Sequence, residues 1–487
     1  MSLFSDKKDK VFHFFEEISK IPRGSFHEEQ ISNYLVEFAK DRDLAYIQDE
    51  YFNVIIFKEA SKGYENAPTV ILQGHMDMVW EKEPDSPHNF EKDPIELVLD
   101  GDFLKANKTT LGADNGIALA MILSILDSDD IAHPPLEAVM TVQEETGLLG
   151  ATNLDASLLR GRYFINIDSE EEGELLISCA GGIRTKLHLP LEWTMIEDDY
   201  SVCKVDFYNF KGGHSGGEID KGRANAILLL GRFLHKLNST FPFEIFEISG
   251  GAKMNAIPRS ASATIAVDTK NVEKLKELCE EWKNLYRNEY TNIEDDFKME
   301  VSVTENRETK FVLCQKSKTS LLQLMMILPN SIQSMSFIID GLVESSLNLG
   351  VLVTTDEYAI FEHSVRSSLT SRKEHIVSQL KVLADLFHAK FTSEGDYPAW
   401  PPAVESKLRN LFAQTYKEVF QKEMKTSAIH AGVECGIFQE KLNGLDMVSF
   451  GPTMYDVHTP SERLSISSTE RTYRLLLEVL KKINKPL

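Results

Sequence analysis

The stretch ILQGHMDMV, Ile71–Val79, contains the pattern that decides the predicted fold. Its apolar start, together with Val70, predicts a short buried strand that ends at Gly74. His75 and Asp77 then come at the carboxyl end of that strand, where ligand sites collect in open α/β sheets. Residues two apart in a strand face the same side, which would place this carboxylate beside the imidazole. An isolated His-x-Asp is usually an ordinary strand end, so its interpretation depends on partners elsewhere in the chain.

Acidic residues follow the next predicted elements in the same way. Asp114 precedes an apolar helix, Glu144 and Glu145 follow the predicted strand Leu136–Val142, and Asp168 follows the apolar run RYFINI. Each alone has an ordinary explanation, because acids are favoured at helix N-termini and in surface turns. Strands that alternate with helices predict a largely parallel sheet, and its strand ends would gather these acids along one edge. Their repetition therefore predicts a site.

Composition and charge restrict the class of protein. The chain has 487 residues, which predicts two or three domains. Its hydrophobic fraction of 42% and charged fraction of 26% are those of an ordinary globular protein. A formal net charge of -23 disfavours binding to nucleic acid and to an anionic membrane surface, both of which would repel it.

The cysteines and the N-terminus indicate a cytoplasmic protein. The 5 cysteines are scattered and form no Cys-x-x-Cys pair, so neither a disulfide framework nor a thiolate zinc site is predicted. The N-terminal sequence MSLFSDKKDK is charged and lacks the apolar core of a signal peptide. No apolar run approaches the length of a membrane span, so we expect no membrane partner.

The pattern changes twice along the chain, which predicts an α/β domain with an insertion. Residues 1–184 form its first part. Residues 185–397 are dominated by alternating strands and predict an inserted α+β domain, possibly two subdomains, the second from about residue 301 to 391. The segment DYPAWPP, residues 396–402, is the clearest linker, and the α/β pattern resumes over residues 398–487. The predicted fold is therefore a mostly parallel sheet flanked by helices, with an inserted α+β lid domain.

The predicted ligands indicate which metal ions would suit the site. Carboxylates and imidazoles without thiolates are typical of a hydrolytic dinuclear zinc or manganese site, whereas magnesium gains little from imidazole. A second histidine is needed, and His458 in VHTPSE supplies one from the returning segment.

Several motifs together resemble a known family. They are GHMDMV, LGADNG, QEETGLLGA, NIDSEEEGEL, KGGHSGGEI and VHTPSE. In this order they resemble the metallopeptidases that comprise aminoacylases, carboxypeptidases and dipeptidases, which share a dizinc, zinc-exopeptidase-like α/β core with an inserted lid. Within that family, QEETGLLGA, ISCAGG, HAGVECG and the long insertion are most similar to the bacterial aminoacyl-histidine dipeptidases, also called cytosol nonspecific dipeptidases.

The resemblance implies a role for each residue of the predicted site. Its metal ligands would be His75 and Asp168 for one ion, Glu145 and His458 for the other, and Asp114 as the bridge between them. Asp77 would orient His75, and Glu144 would be the general base. The two divalent ions would be zinc, with manganese or cobalt as alternatives. The family also has a cis peptide bond after its bridging aspartate, here between Asp114 and Asn115.

The resemblance also implies contacts with a small peptide substrate. His214, in the glycine-rich KGGHSGGEI, would stabilise the developing oxyanion. Arg366 would bind the free carboxylate of the substrate, with Arg259 as a weaker alternative. Asn255 would contact the same end, and Gly432 would offer backbone at close range. The family allows a homodimer, and whether His214 acts in its own chain or across a dimer stays open.

Three functions follow as alternatives. The first is a metal-dependent dipeptidase acting on unblocked dipeptides, including Xaa-His such as β-alanyl-histidine, with water activated by the metal site and Glu144. The second is an aminoacylase or carboxypeptidase-type amidohydrolase on the same core. The third is a catalytically silent metal- or peptide-binding protein, which would have no reason to keep the base beside a complete set of ligands.

Overall fold

The computed structural model describes residues 10–196, 200–304, 311–442 and 444–485. The charged segment 1–9, on which the absence of a signal peptide was predicted, lies outside the described residues. The chain forms two compact units. The first comprises Met1–Cys179, Trp400–Ala428 and Val433–Leu487, and the second comprises Ala180–Ala399 and Ile429–Gly432. Ile429–Gly432 thus belongs to the second unit, whereas the sequence analysis placed all of residues 398–487 in the α/β domain.

Helices and strands alternate in the first part of the first unit. Its helices are α1 (Lys10–Ile18), α2 (Glu29–Lys40), α3 (Ala113–Leu126) and α4 (Leu149–Asn153). Its strands are β1 (Ala45–Gln48), β2 (Val54–Lys58), β3 (Val70–His75), β4 (Leu97–Asp100), β5 (Phe103–Ala106), β6 (Leu136–Thr141), β7 (Tyr163–Asn166) and β8 (Glu174–Cys179).

The second unit consists mainly of strands. They are β9 (Gly181–Pro190), β10 (Trp193–Met195), β11 (Tyr200–Tyr208), β12 (Gly213–His214), β13 (Phe243–Gly250), β14 (Ala256–Ile257), β15 (Ala261–Asp268), β16 (Lys298–Thr304), β17 (Phe311–Leu313), β18 (Ser331–Met335), β19 (Val343–Thr354), β20 (Tyr358–Ser367) and β21 (Lys390–Tyr397). Its helices are α5 (Ala226–Asn238), α6 (Val272–Glu289), α7 (Gln315–Ile327) and α8 (Thr370–Leu386).

The α/β pattern then resumes, as the sequence predicts. The helices are α9 (Lys407–Phe420), α10 (Glu434–Lys441) and α11 (Ile466–Lys482). The strands are β22 (Lys425–Ile429), β23 (Asp446–Ser449), β24 (Met454–Tyr455) and β25 (Arg463–Ser465).

The main sheet of the first unit is parallel at its centre. Its strand order is β1-β2-β6-β3-β7-β23-β8-β22. Strands β6, β3, β7 and β23 pair in parallel. The pairs β1–β2, β2–β6 and β8–β23 are antiparallel. Every residue of β3 and β6 is buried, as expected for the central strands of a sheet covered on both faces. Because the central strands run in the same direction, their carboxyl ends meet at one edge of the sheet.

Helix α3 packs against β3 and α1. Its residues from Asn115 to Ile125 are all buried, which fits a helix that is apolar on nearly every side. The closest approach is at Gly74, where an added Cβ would lie 2.5 Å from Asn115 Oδ1 and 2.7 Å from the Cβ of Ala118. Glycine at this position therefore lets the start of α3 lie directly on the end of β3.

The second unit has one large antiparallel sheet. Its strand order is β16-β11-β15-β13-β19-β20-β9-β21, and β18 pairs with β19. The contact between β13 and β19 joins the strands of the two subdomains that the sequence analysis considered. One hydrophobic core also contains residues of both, including Phe207, Phe233, Leu324 and Phe361. The inserted region is therefore organised around one sheet with a shared core.

Two further predictions concern the chain as a whole. The sequence predicts no disulfide framework, and all five cysteines are free thiols in the structure. Among the described residues, no helix combines the length and the apolarity that crossing a membrane requires.

We predict that Gly74→Ala lowers the stability of the first unit. The added methyl group has no room between β3 and α3, and such overpacking costs about 1–3 kcal/mol. Urea-induced unfolding followed by circular dichroism should show a lower midpoint than in the wild-type protein. An unchanged midpoint would mean that α3 does not lie this closely on β3.

Candidate active site

His75 lies at the end of β3 with its imidazole surrounded by carboxylates. Its Nε2 is 3.1 Å from Oδ1 of Asp114 and 3.5 Å from Oδ1 of Asp168. Its Nδ1 is 3.3 Å from Oδ1 of Asp77. The side chain is only 1% exposed, so these contacts lie in a region from which water is largely excluded. The structure thus brings together residues from the ends of two neighbouring strands and from the first turn of one helix.

His458 contacts the same aspartate from the other side. Its Nε2 is 3.1 Å from Oδ2 of Asp114 and 2.9 Å from Oε1 of Glu145. Asp114 therefore presents one carboxylate oxygen to each of the two histidines. The peptide bond between Asp114 and Asn115 is cis, as the resemblance implies.

Asn115 holds this part of α3 against the sheet. Its Oδ1 accepts a hydrogen bond from the backbone N–H of His75 at 3.2 Å. Its Nδ2 donates to the carbonyl of Ile167 at 2.7 Å. These two hydrogen bonds attach the start of α3 to His75 at the end of β3 and to Ile167, the residue before Asp168, just after β7.

The electrostatics of the cluster indicate an excess of negative charge. Hydrogen bonds to Asp114 and Glu145 raise the pKa of His458 to about 11, although burial of its imidazole acts in the opposite direction. Burial also lowers the pKa of His75, and the neighbouring Asp168 and Asp114 outweigh it, so the net shift is upwards. Burial raises the pKa of Glu144, Glu145 and Asp168. A cation at this place would relieve the repulsion among these carboxylates.

The residues present fit two divalent metal ions. Three sets of side chains have their donor atoms within 4.8 Å of one another. They are His75, Asp114 and Asp168; His75, Glu144 and Glu145; and Asp114, Glu145 and His458. The donors are carboxylate oxygens and imidazole nitrogens, which suit zinc and manganese. Asp114 belongs to two of these sets, as a bridging carboxylate would.

Asp77 makes more contacts than the sequence predicts. Besides approaching His75, its carboxylate accepts hydrogen bonds from the backbone N–H groups of Glu144 at 3.0 Å and Glu145 at 3.2 Å. Ser25 Oγ donates to it at 2.8 Å. One buried carboxylate therefore orients an imidazole and also fixes the backbone of the two glutamates.

Sequence reasoning missed other buried groups around this cluster. They are the buried Arg23, Glu434 and Glu462, together with Ser25, which is half-buried. Glu434 accepts hydrogen bonds from the side chains of Gln73 in β3 and Thr141 in β6. It lies in HAGVECG and Glu462 lies in VHTPSE, so both were within motifs that carried the resemblance. Arg23 and Ser25 follow α1 in a segment with no spacing or periodicity that could have identified them.

The predicted substrate residues lie in the second unit. His214 lies in β12, where it pairs with Ala256 of β14. The backbone N–H of Ser215 donates to the carbonyl of Asn255 at 2.9 Å. Nδ1 of His214 accepts hydrogen bonds from the N–H groups of Gly216 and Gly217, at 3.3 and 3.1 Å. Burial and the charge of Arg366 lower the pKa of His214. Because Nδ1 accepts these hydrogen bonds, the neutral form of the imidazole would carry its proton on Nε2.

Arg366 and Gly432 belong to a second group of contacts in the same unit. Arg366 lies in β20 and donates from Nη1 to the hydroxyl of Tyr397 at 2.9 Å. The side chain is 8% exposed, and its Nε has no hydrogen-bond partner among the described residues. Gly432 faces the ring of Tyr397, since an added Cβ would lie 2.6 Å from Cε2. Arg259, the weaker alternative, donates from Nε to the carbonyl of Phe210.

The chain is similar to known peptidases over nearly its whole length. Residues 207–294 match the M20 peptidase dimerisation domain. The cytosol non-specific dipeptidase of Escherichia coli K12 is 39% identical over 473 residues, which are 97% of each protein. The aminoacylhistidine dipeptidase of Vibrio alginolyticus superposes with a TM-score of 0.91 and 34% identity, over 100% of this chain and 99% of that one.

A more distant structure shows the fold alone. The aminopeptidase PepT of Bacillus cereus has a TM-score of 0.56 at 15% identity, with 98% of this chain and 99% of that one covered. The family is shown by the identity to the Escherichia coli protein, which extends over 97% of both chains. The chain belongs to the M20 family of metallopeptidases and, within it, to the group of the cytosol non-specific dipeptidases.

Proposed function

We propose that this metallopeptidase hydrolyses unblocked dipeptides, including Xaa-His dipeptides such as β-alanyl-histidine. The relatives named as a cytosol non-specific dipeptidase and an aminoacylhistidine dipeptidase support this substrate class. The observation that carries the proposal is the geometry of Asp114, whose two carboxylate oxygens face His75 and His458. Glu144 lies close to His75 in the same cluster.

The proposed metal ligands are His75 and Asp168 for one ion, Glu145 and His458 for the other, with Asp114 shared. When bound, two divalent ions would lower the pKa of water toward about 7 and polarise the peptide carbonyl. We propose zinc as the native ion, with manganese or cobalt as alternatives, because nitrogen and oxygen donors are present without a thiolate. Asp77 would orient His75 through Nδ1.

Glu144 is the proposed general base. Its side chain belongs to the donor cluster, and Asp77 holds its backbone N–H. Burial raises the pKa of Glu144, which suits a carboxylate that must take a proton from water near neutral pH. The same carboxyl group would then return the proton to the departing amine.

The proposed substrate contacts use the second unit. Nδ1 of His214 is occupied as an acceptor, so Nε2 would donate to the carbonyl oxygen as negative charge develops there. Arg366 would bind the carboxylate of the dipeptide, which fits a buried guanidinium with an unpaired Nε. Asn255 would contact the same end of the substrate, and Gly432 would let the substrate approach the backbone closely.

The remaining proposals concern the protein in the cell. The match to a dimerisation domain over residues 207–294 supports a homodimer. The cytosolic relative supports a cytoplasmic location. The formal charge of -23 argues against nucleic acid and anionic membranes as partners.

A substrate panel tests the proposed function. We predict hydrolysis of β-alanyl-histidine and other unblocked dipeptides, slower hydrolysis of a tripeptide and none of N-acetyl amino acids, in protein reconstituted with zinc, manganese or cobalt. Chelation should abolish turnover, and metal addition should restore it. A preference for N-acetyl amino acids would favour the aminoacylase alternative and contradict the proposal.

Replacing the proposed base tests the mechanism. We predict that Glu144→Gln lowers kcat by about 100- to 10,000-fold, the usual contribution of general acid–base catalysis. Metal content, measured by mass spectrometry of the purified protein, should stay at the wild-type level. Substantial turnover in the metal-loaded variant would contradict the assignment of Glu144.

Replacing the proposed carboxylate-binding cation tests substrate recognition. The wild-type enzyme should strongly prefer a dipeptide with a free carboxylate over the same dipeptide amide. We predict that Arg366→Ala lowers kcat/KM for the free dipeptide by about 10- to 100-fold, because hydrogen bonds to charged groups contribute about 1.5–3 kcal/mol. The rate with the amide should hardly change. An equal loss with both substrates would show that Arg366 does not bind the carboxylate.

A further inference from the structure

Glu462 makes a set of backbone contacts next to the proposed metal site. Its Oε2 accepts hydrogen bonds from the N–H groups of Leu111 at 2.7 Å and Gly112 at 3.0 Å. Its Oε1 accepts from the N–H groups of Ala113 at 2.8 Å and Asp114 at 3.3 Å. The side chain is 2% exposed. One buried carboxylate thus satisfies four successive N–H groups that lie about 350 residues earlier in the chain.

These N–H groups need an acceptor because α3 begins irregularly. Gly112 has a φ of +71°, and Asp114 and Asn115 have non-helical backbone angles. The first N–H groups of a helix have no partner within the helix, and leaving them buried and unpaired is costly. A negative charge is also favoured at a helix N-terminus. Glu462 meets both requirements, so it holds the backbone from which the Asp114 side chain projects.

Glu462 lies on the same short segment as His458. Its own N–H donates to the carbonyl of Thr459 at 3.1 Å, which closes a turn between the two side chains. The segment therefore contacts Asp114 twice. Nε2 of His458 is 3.1 Å from Oδ2 of Asp114, and Oε1 of Glu462 accepts a hydrogen bond from the backbone N–H of Asp114.

Arg23 contacts the same loop from another side. This buried side chain donates from Nη1 to the carbonyls of Met76 at 2.9 Å and Asp77 at 3.3 Å, and from Nη2 to the carbonyl of Gly112. It therefore links the loop before Asp114 to the loop after His75. Its positive charge interacts favourably with Glu462. In the loop before Asp114, the carbonyl of Gly112 thus accepts from the guanidinium of Arg23, and the N–H groups donate to the carboxylate of Glu462.

We propose that Glu462 is a positioning residue that sets the place of Asp114 relative to His458 and thereby allows one carboxylate to bridge two metal ions. This inference rests on the proposed function, in which both residues are metal ligands. Glu462 makes no contact with the donor atoms themselves, and it acts through the backbone of Leu111–Asp114. Groups that orient metal ligands typically change metal affinity by about 10- to 100-fold when they are replaced.

The chain offers a matched control for this proposal. Glu137 is also buried, at 3% exposure, and its carboxylate accepts hydrogen bonds from the N–H groups of Arg160 and Gly161 at 2.9–3.0 Å. It lies near the start of β6, whereas Glu144 and Glu145 follow the other end of that strand. Glu137→Gln should therefore remove a similar backbone contact without affecting the metal ligands.

Glu462→Gln tests the proposal, because an amide has one acceptor oxygen and its NH2 group would face N–H donors. We predict that this variant binds one of two Mn(II) ions about 10- to 100-fold more weakly than the wild type in a chelator competition. The electron paramagnetic resonance spectrum of the manganese-loaded protein should lose the signal of exchange-coupled ions and gain that of isolated ions. Glu137→Gln should lower the melting temperature while leaving affinity and spectrum unchanged.

Wild-type affinity and spectrum in Glu462→Gln, with only a loss of stability like that of Glu137→Gln, would overturn the proposal. Should Glu462→Gln fail to fold, Glu462→Asp, which keeps the charge on a shorter side chain, is measured in the same way and judged by the same criterion. If the wild-type protein itself binds no coupled pair of ions, the proposed dinuclear site fails. That result is distinguishable from failure of the positioning role, because it appears without any substitution.

Discussion

The approach of two imidazoles to one carboxylate is the interaction on which the rest of the first unit depends. Asp114 faces His75 with one oxygen and His458 with the other. His75 precedes the inserted second unit in the sequence, and His458 follows it. A carboxylate in this position can be shared only if the returning segment 433–487 completes the domain that residues 1–179 begin.

The parallel centre of the sheet explains why the other groups gather there. Strands β3, β6 and β7 end side by side, and His75, the glutamates after Val142 and Asp168 follow their ends. Asp77 then connects two of these ends, because it approaches His75 and accepts hydrogen bonds from the backbone of Glu144 and Glu145. The same rule places ligands at the carboxyl edge of open α/β sheets in general.

Much of this arrangement could be predicted from the sequence because it follows from short-range patterns. Apolar runs that end in acids or histidine predicted the strand ends, and the order of the motifs indicated the family from which the residue roles were inferred. The contacts of Glu462 and Arg23 could not be predicted, since each joins backbone groups distant in sequence and has no periodic signal. The same holds for Ile429–Gly432, whose membership of the second unit depends on long-range contacts.

The proposed function depends on Asp114 as a bridge between two metal ions. Anomalous X-ray scattering from crystals grown with zinc measures this directly. The account predicts two anomalous peaks, each with one oxygen of Asp114 at about 2.0–2.2 Å, one next to His75 and one next to His458. A single peak, or two peaks of which only one contacts Asp114, would contradict it.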